Sequence, residues 1–201
     1  MTFALMRQLL TDPVVAINRA KHQRNYNELL ALVFIEWVLV GLGLAVTLRD
    51  FGVPAALSFG VAIGACGIVL TLFGGFLLQL VFHVLGGKGT YWTGLTVSAY
   101  SKFPLAFAIL LGSILFTIPF IGTVVGVVLF IVMAILSFST LYRSIKELFQ
   151  VDIVTAWIGV SVLLLSFVVT VYLSIILLSP HFPALLSFLR PNMMSGMMRI
   201  Y

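Results

Sequence analysis

The chain has 201 residues, 62% of them hydrophobic and 8% charged, with a mean hydropathy of +1.21. With glycine counted in and tyrosine out, the apolar share is about two thirds, against ~45–50% in soluble domains, where about 25% is charged. So short a chain has no soluble fold that buries this much apolar surface. That excludes a cytosolic enzyme, a disordered chain and a secreted disulfide scaffold, and leaves an integral membrane protein.

The net charge is +5; in a membrane protein such a balance speaks to topology and lipid rather than to nucleic acid. The one cysteine, Cys66, lies in an uncharged stretch and allows no intrachain disulfide. The opening residues Met1-Thr2-Phe3-Ala4-Leu5-Met6-Arg7 lack the basic start, apolar run and small-residue cleavage site of a signal peptide, so the chain is expected to be uncleaved.

Residues 1–28 are expected to form a cytoplasmic, interfacial N-terminal region. Thr11-Asp12-Pro13 is a helix start, with Asp12 as cap and Pro13 in the first helical position. Beyond it, Val14, Val15 and Ile17 are apolar while Arg19, Lys21, His22 and Arg24 are polar, the pattern of a helix drawn to anionic lipid. A solvated basic lead-in that only fixes topology accounts for the same residues.

A helix needs about 20 mainly apolar residues to cross the hydrocarbon core. Leu29 to Leu48 is interrupted by Glu36 alone, and Phe51–Phe82, Phe103–Tyr142 and Ile153–Leu189 carry no Asp, Glu, Lys or Arg. Ile118-Pro119-Phe120-Ile121-Gly122 divides the longest piece by a tight turn. Ser179-Pro180-His181-Phe182-Pro183 closes the last span. The expectation is an all-α bundle of five spans, at roughly 29–48, 55–83, 101–118, 121–141 and 153–178, with an extracytoplasmic tail at 179–201. With the N-terminus inside, the cytoplasmic segments hold Arg7, Arg19, Lys21, Arg24, Lys88, Lys102, Arg143 and Lys146, and the outer ones only Arg49, Arg190 and Arg199. The positive-inside rule therefore puts the N-terminus in the cytoplasm and the C-terminus outside. Four spans with a re-entrant hairpin at 103–141 satisfy the same charges.

Between the second and third spans runs Leu85-Gly86-Gly87-Lys88-Gly89-Thr90-Tyr91-Trp92-Thr93-Gly94. It is no phosphate loop, because Gly89 rather than Ser or Thr follows Lys88 and the flanks are membrane spans. Lys88, Tyr91 and Trp92 suit a headgroup-facing loop that meets lipid or a partner. Thr90 is placed to cap a short interfacial helix reaching Ser101, with Pro104 in the first turn of the third span.

Taken together, Leu10-Thr11-Asp12-Pro13, Leu85-Gly86-Gly87-Lys88-Gly89-Thr90-Tyr91, Ala99-Tyr100-Ser101-Lys102-Phe103-Pro104 and Ile118-Pro119-Phe120-Ile121-Gly122 resemble the Yip family of Ypt/Rab-interacting membrane proteins. The resemblance covers most of residues 5–178 and implies a five-span Yip-one domain. Ala99-Tyr100 stands where many members have Gly-Tyr. The Asp-Leu-Tyr-Gly-Pro type motif and the long N-terminal region of eukaryotic members are absent. The chain is thus similar to compact prokaryotic-type members. The Rab contact and vesicle traffic of eukaryotic members do not carry over with it.

Ionisable groups inside a bilayer cost several kcal/mol unless paired or wetted. Glu36 is the one such group deep in an expected span, about 10 Å below the cytoplasmic face at 1.5 Å per residue. His83, Tyr100 and Lys102 lie toward the same side, which suggests a polar cluster of Glu36, His83, Tyr100 and Lys102. A protonated or snorkelling Glu36 with unrelated neighbours is the plainer alternative. Gly60, Gly64, Gly67, Thr71 and Gly74 share one helical face, and Gly122 and Gly126 repeat the four-residue spacing. Such faces admit close helix packing within the bundle; a homo-oligomer seam or a gate is the functional alternative.

No catalytic pattern is present: there is neither Gly-x-Ser-x-Gly nor His-Glu-x-x-His, and Asp12, Asp50 and Asp152 all fall outside the expected spans. His22, His83 and His181 are scattered, so no metal and no cofactor is expected. The methionines of Pro191-Asn192-Met193-Met194-Ser195-Gly196-Met197-Met198 suit a tail at the membrane surface. The residues favour a non-enzymatic scaffold or adaptor that binds lipid, possible anionic species included, or another membrane protein. A small transporter or channel with a cytoplasmic-side Glu36 site is the rival.

Overall fold

The computed structural model describes residues 2–22 and 25–178. The expected extracytoplasmic tail (179–201), with its methionines, His181, Arg190 and Arg199, lies outside the described residues, as does Arg24. Among the described residues there are seven α-helices and no strand. Residues up to Leu165 form one unit; the segment from Ser166 continues the last helix to Leu178 and is a unit by itself.

Helices α1 (Thr2–Thr11) and α2 (Pro13–His22) meet at Asp12, whose Oδ1 accepts from the Val15 amide at 3.3 Å. The cap and the proline at N1 start α2 for the reasons legible in the sequence. The two helices are fastened to the bundle. Leu5, Leu9, Ala16 and Ile17 are buried in one cluster with Leu29, Leu32 and Val33 of α3 (Tyr26–Thr47) and Leu95, Ala99, Tyr100 and Phe103 of α5 (Tyr91–Leu115). Phe3, Val14 and Val15 stay exposed on the other side.

Asn25 caps α3 by accepting from the Glu28 amide at 3.3 Å. A 3-10 turn at Arg49–Phe51 and Gly52, at φ 99°, lead into α4 (Val53–Val84). At 32 residues this helix is about 48 Å long, well beyond the ~30 Å hydrocarbon core. Backbones touch where α3 and α4 cross: a Cβ added to either Gly41 or Gly60 would strike the other's carbonyl oxygen. Between α4 and α5 a Cβ on Gly94 would strike the Gly75 carbonyl oxygen, and one on Gly75 would crowd the Leu95 backbone.

The third span differs from expectation at its start. No separate interfacial helix precedes it: α5 runs unbroken from Tyr91, with Pro104 in its interior. The reason lies in Thr90 and Thr93, whose side chains form a reciprocal capping box that fixes the first turn there. α5 is the central helix, packed against α3, α4 and α6 (Ile121–Phe149). The turn from α5 to α6 has a γ-turn at Phe120 (φ 60°, ψ −73°), closed by the Ile121 amide on the Pro119 carbonyl at 2.8 Å. α6 extends past the expected 141 to Phe149, because Thr140, Ser144, Ile145 and Phe149 continue a buried face while Arg143, Lys146 and Glu147 point outward. Gln150, left-handed at φ 55°, ends it.

Asp152 opens α7 (Ile153–Leu178), its Oδ2 accepting from the Val154 amide at 3.2 Å. Ala156 and Val160 of this helix close a second core with Leu78, Phe82, Val97, Leu141, Ile145 and Phe149. By length and composition, α3, α4, α5 and α6 are each able to cross a membrane, and the residues Ile153–Val162 of α7 form a shorter apolar helix.

Candidate functional site

Polar side chains gather at one end of this apolar bundle, where α2 ends, α3 and α5 begin and α6 finishes. They line a cavity of about 150 Å³. Arg19 and Lys21 enter from α2; Asn25, Tyr26 and Glu28 from the start of α3; Trp92, Thr96 and Tyr100 from α5; Glu147 and Gln150 from the end of α6. Arg19 Nη2 meets Glu28 Oε2 at 3.3 Å, and Lys21 Nζ meets Glu147 Oε2 at 3.5 Å. The second oxygen of Glu28, Oε1, is buried without a hydrogen-bond partner.

Lys88 reaches the same cavity from the connection between α4 and α5. Local packing places it there. The Gly87 amide donates to the Phe82 carbonyl at 2.7 Å and the Lys88 amide to the Phe149 carbonyl at 3.1 Å. The Phe149 ring lies where a Cβ on Gly89 would stand. The loop is thereby held against the end of α6, and the exposed Lys88 side chain is left to the cavity. Tyr26 and Trp92 pack with ring centroids 4.5 Å apart, and Tyr91 adds an edge contact to Trp92 at 5.4 Å. Such rings favour the level of lipid headgroups.

A second polar group lies deeper, between helices. Glu36 is 1% exposed, and its Oε2 has no hydrogen-bond partner. The Lys102 ammonium acts on it electrostatically but donates its hydrogen bond to Thr71 Oγ1 at 3.2 Å. The Trp37 indole N–H donates to the same hydroxyl at 2.8 Å. Thr71 and Trp37 therefore belong to this group, although neither carries a charge that marks it in the sequence.

The four residues of the expected polar cluster are thus divided. Glu36 and Lys102 are neighbours between helices. Tyr100 is buried in the wall of the cavity at the bundle end. His83 is exposed at the end of α4, twelve residues or about 18 Å along the helix from Thr71. The small-residue positions have separate neighbours too. Gly60 meets Gly41, Gly64 lies under the Trp37 carbonyl, and Gly67 lies under the Trp37 ring. Gly122 backs onto the Leu115 carbonyl and Gly126 onto the Phe116 ring, so this pair seats the turn between α5 and α6.

Outside the helices, Asp152 has its carboxyl held below the usual aspartate range, first by a hydrogen bond from the Thr155 side chain. Desolvation opposes it, and backbone donors at Thr155 and Val154 add to the lowering.

Helices of this length and apolarity, packed through small-residue crossings, define an integral membrane protein of the all-α class. The Yip1 domain model matches residues 7–179, and the chain belongs to that family. No curated protein and no solved structure matches it.

Proposed function

We propose that this Yip1-domain protein is a non-enzymatic membrane scaffold or adaptor. Its polar end receives a lipid headgroup or a segment of another membrane protein. One observation carries the reading: the cavity at the bundle end combines three cations, two carboxylates and a tilted pair of aromatic rings in a chain of which only 8% is charged. In this reading α7 is a fifth span, α1 and α2 lie at the cytoplasmic surface of the cell membrane, and the C-terminus is extracytoplasmic. The charge distribution supports that orientation, since Arg19, Lys21, Lys88, Arg143 and Lys146 lie around the ends of α2, α4 and α6, and Arg49 lies beyond the opposite end of α3.

The test is native mass spectrometry of the protein ejected directly from its own membrane. Wild type should carry a specific lipid or protein that is lost when Lys88 and Arg19, which line the cavity, are changed to Gln. A bare particle from wild-type membranes would overturn the reading.

A second reading, a small transporter or channel, is favoured by Glu36, whose buried Oε2 has no hydrogen-bond partner, beside Lys102. It requires ion or solute flux in proteoliposomes that Glu36→Gln abolishes. Vesicles that stay tight with the wild-type protein would end it.

A further inference from the structure

The cavity at the bundle end has a composition more specific than a basic patch. Arg19, Lys21 and Lys88 face Glu28 and Glu147 across one small space. Arg19 engages Glu28 with one of the five donors of its guanidinium. Among the described residues, Lys88 makes no side-chain hydrogen bond or ion pair. On the acidic side, Glu28 Oε1 is buried and lacks a donor among the described residues, an unfavourable state for a buried acceptor. The cavity therefore offers donors to an anion and, in the same volume, an acceptor that calls for an N–H.

We infer that this cavity binds the phosphoethanolamine group, its phosphate held by Lys88 and Arg19 and its ammonium by Glu28, beside the Tyr26–Trp92 ring pair. This rests on the lipid-binding form of the reading above and names the ligand within it. A purely anionic headgroup brings its charge against two carboxylates and leaves Glu28 Oε1 without a donor. Phosphocholine is zwitterionic, but its quaternary nitrogen has no N–H for that oxygen. Phosphoserine has the ammonium, yet adds a third carboxylate to the two already present. Phosphoethanolamine alone of these supplies one anion and three N–H donors without a second negative group. The volume agrees: a cavity of ~150 Å³ holds a ligand about the size of benzene, which suits this group and is too small for an inositol phosphate. The aromatic faces of Tyr26 and Trp92 favour a cation beside them, and the start of two apolar helices is where a headgroup lies.

The experiment reconstitutes the full chain in nanodiscs holding equal parts of phosphatidylethanolamine, phosphatidylcholine, phosphatidylglycerol and phosphatidylserine, and reads the retained lipids by native mass spectrometry. Phosphatidylethanolamine should be enriched over its share. Loss of one charge-assisted hydrogen bond in Lys88→Gln or Glu28→Gln should cut that enrichment about tenfold. Lys88 is exposed, so its variant keeps the fold even if Glu28→Gln loosens the Arg19 pairing; elution volume in size exclusion checks both. Soluble O-phosphoethanolamine, added at increasing concentration, separates the sources. If it displaces the lipid, the headgroup is what the cavity reads. If it protects the protein thermally while no lipid is enriched, the same chemistry is supplied by the free compound. Enrichment of phosphatidylglycerol, phosphatidylserine or phosphatidylcholine instead overturns the inference and leaves lipid binding standing. No enrichment of any lipid, with no effect of the soluble compound, overturns the inference and the lipid-binding form of the reading together.

Discussion

Two glycines on the same face of α4 are expected to respond unequally to one methyl group. A Cβ on Gly67 would lie among Cδ2, Cε3 and Cζ3 of Trp37, whereas a Cβ on Gly64 would stand 3.3 Å from the Trp37 carbonyl oxygen and meet nothing closer. The indole over Gly67 is also tied one turn along, through its N–H to Thr71 Oγ1 at 2.8 Å. In Gly67→Ala the ring must move, and overpacking of this kind costs ~1–3 kcal/mol. Losing the interhelical hydrogen bond adds about 0.6 kcal/mol, up to ~1.7. Alanine returns about 1 kcal/mol of helix propensity. The net expectation is a loss of ~1–3 kcal/mol for Gly67→Ala, while in Gly64→Ala the tight contact with the Trp37 carbonyl offsets the propensity gain and the variant should lie within about 1 kcal/mol of wild type. Reversible unfolding of both variants in bicelles, followed by far-UV circular dichroism, gives the difference directly. Equal stabilities would refute the packing argument. A shift in oligomer size with unchanged protomer stability would show instead that this face is a seam between copies.

Leu9→Ala removes a side chain with no exposure at the junction of α1 with α3 and α5. It should cost ~2–5 kcal/mol of docking, read as faster proteolysis within residues 2–22 while the spans stay protected. Asp152→Ala should fray the first turn of α7, seen as faster amide exchange at Val154 and Thr155. The folded carboxyl lies below its usual range, so its contribution is complete above the ordinary aspartate pKa and is lost as pH falls through the lower folded value; Asp152→Asn should show no such pH dependence. Gln150→Gly relieves a left-handed residue at the end of α6. A strain of ~1–2 kcal/mol against a glycine entropy cost of ~0.5–1 kcal/mol predicts a gain of up to about 1.5 kcal/mol in the same unfolding assay; a loss would show that the Gln150 side chain matters more than its backbone.

The fold was legible because the bilayer leaves the chain few options: uninterrupted apolar runs must become helices, and the breaks fall at Gly52, Pro119 and Asp152, where φ, ring geometry or a cap ends or starts a turn. The boundaries were less legible wherever a helix outruns the membrane. The last turns of α6 read as a polar loop because Arg143, Lys146 and Glu147 interrupt the hydropathy, yet Ser144, Ile145 and Phe149 keep a buried stripe at helical spacing. The same holds at Tyr91, where a threonine pair at N-cap and N3 was a sufficient signal for the start of α5. The close contacts of Gly41, Gly75 and Gly94 were not legible because each is made with a partner on another helix, and pairs such as Gly41–Gly60 have no common spacing in the chain.

The cavity illustrates a harder limit. Its ion pairs join residues 9 and 126 positions apart, so no local pattern announces them. Lys88 was visible as a headgroup-facing residue, but the glycines around it were legible only as a phosphate-loop resemblance to be rejected. Their role is physical and nonlocal. Gly89 makes room for the Phe149 ring, and the Lys88 amide closes on the Phe149 carbonyl. A side chain at position 89 would therefore push the loop off the end of α6 and carry Lys88 away from Arg19 and Glu28. The glycines that resemble a phosphate loop cradle no phosphate; they hold one lysine where a phosphate-bearing group can meet it.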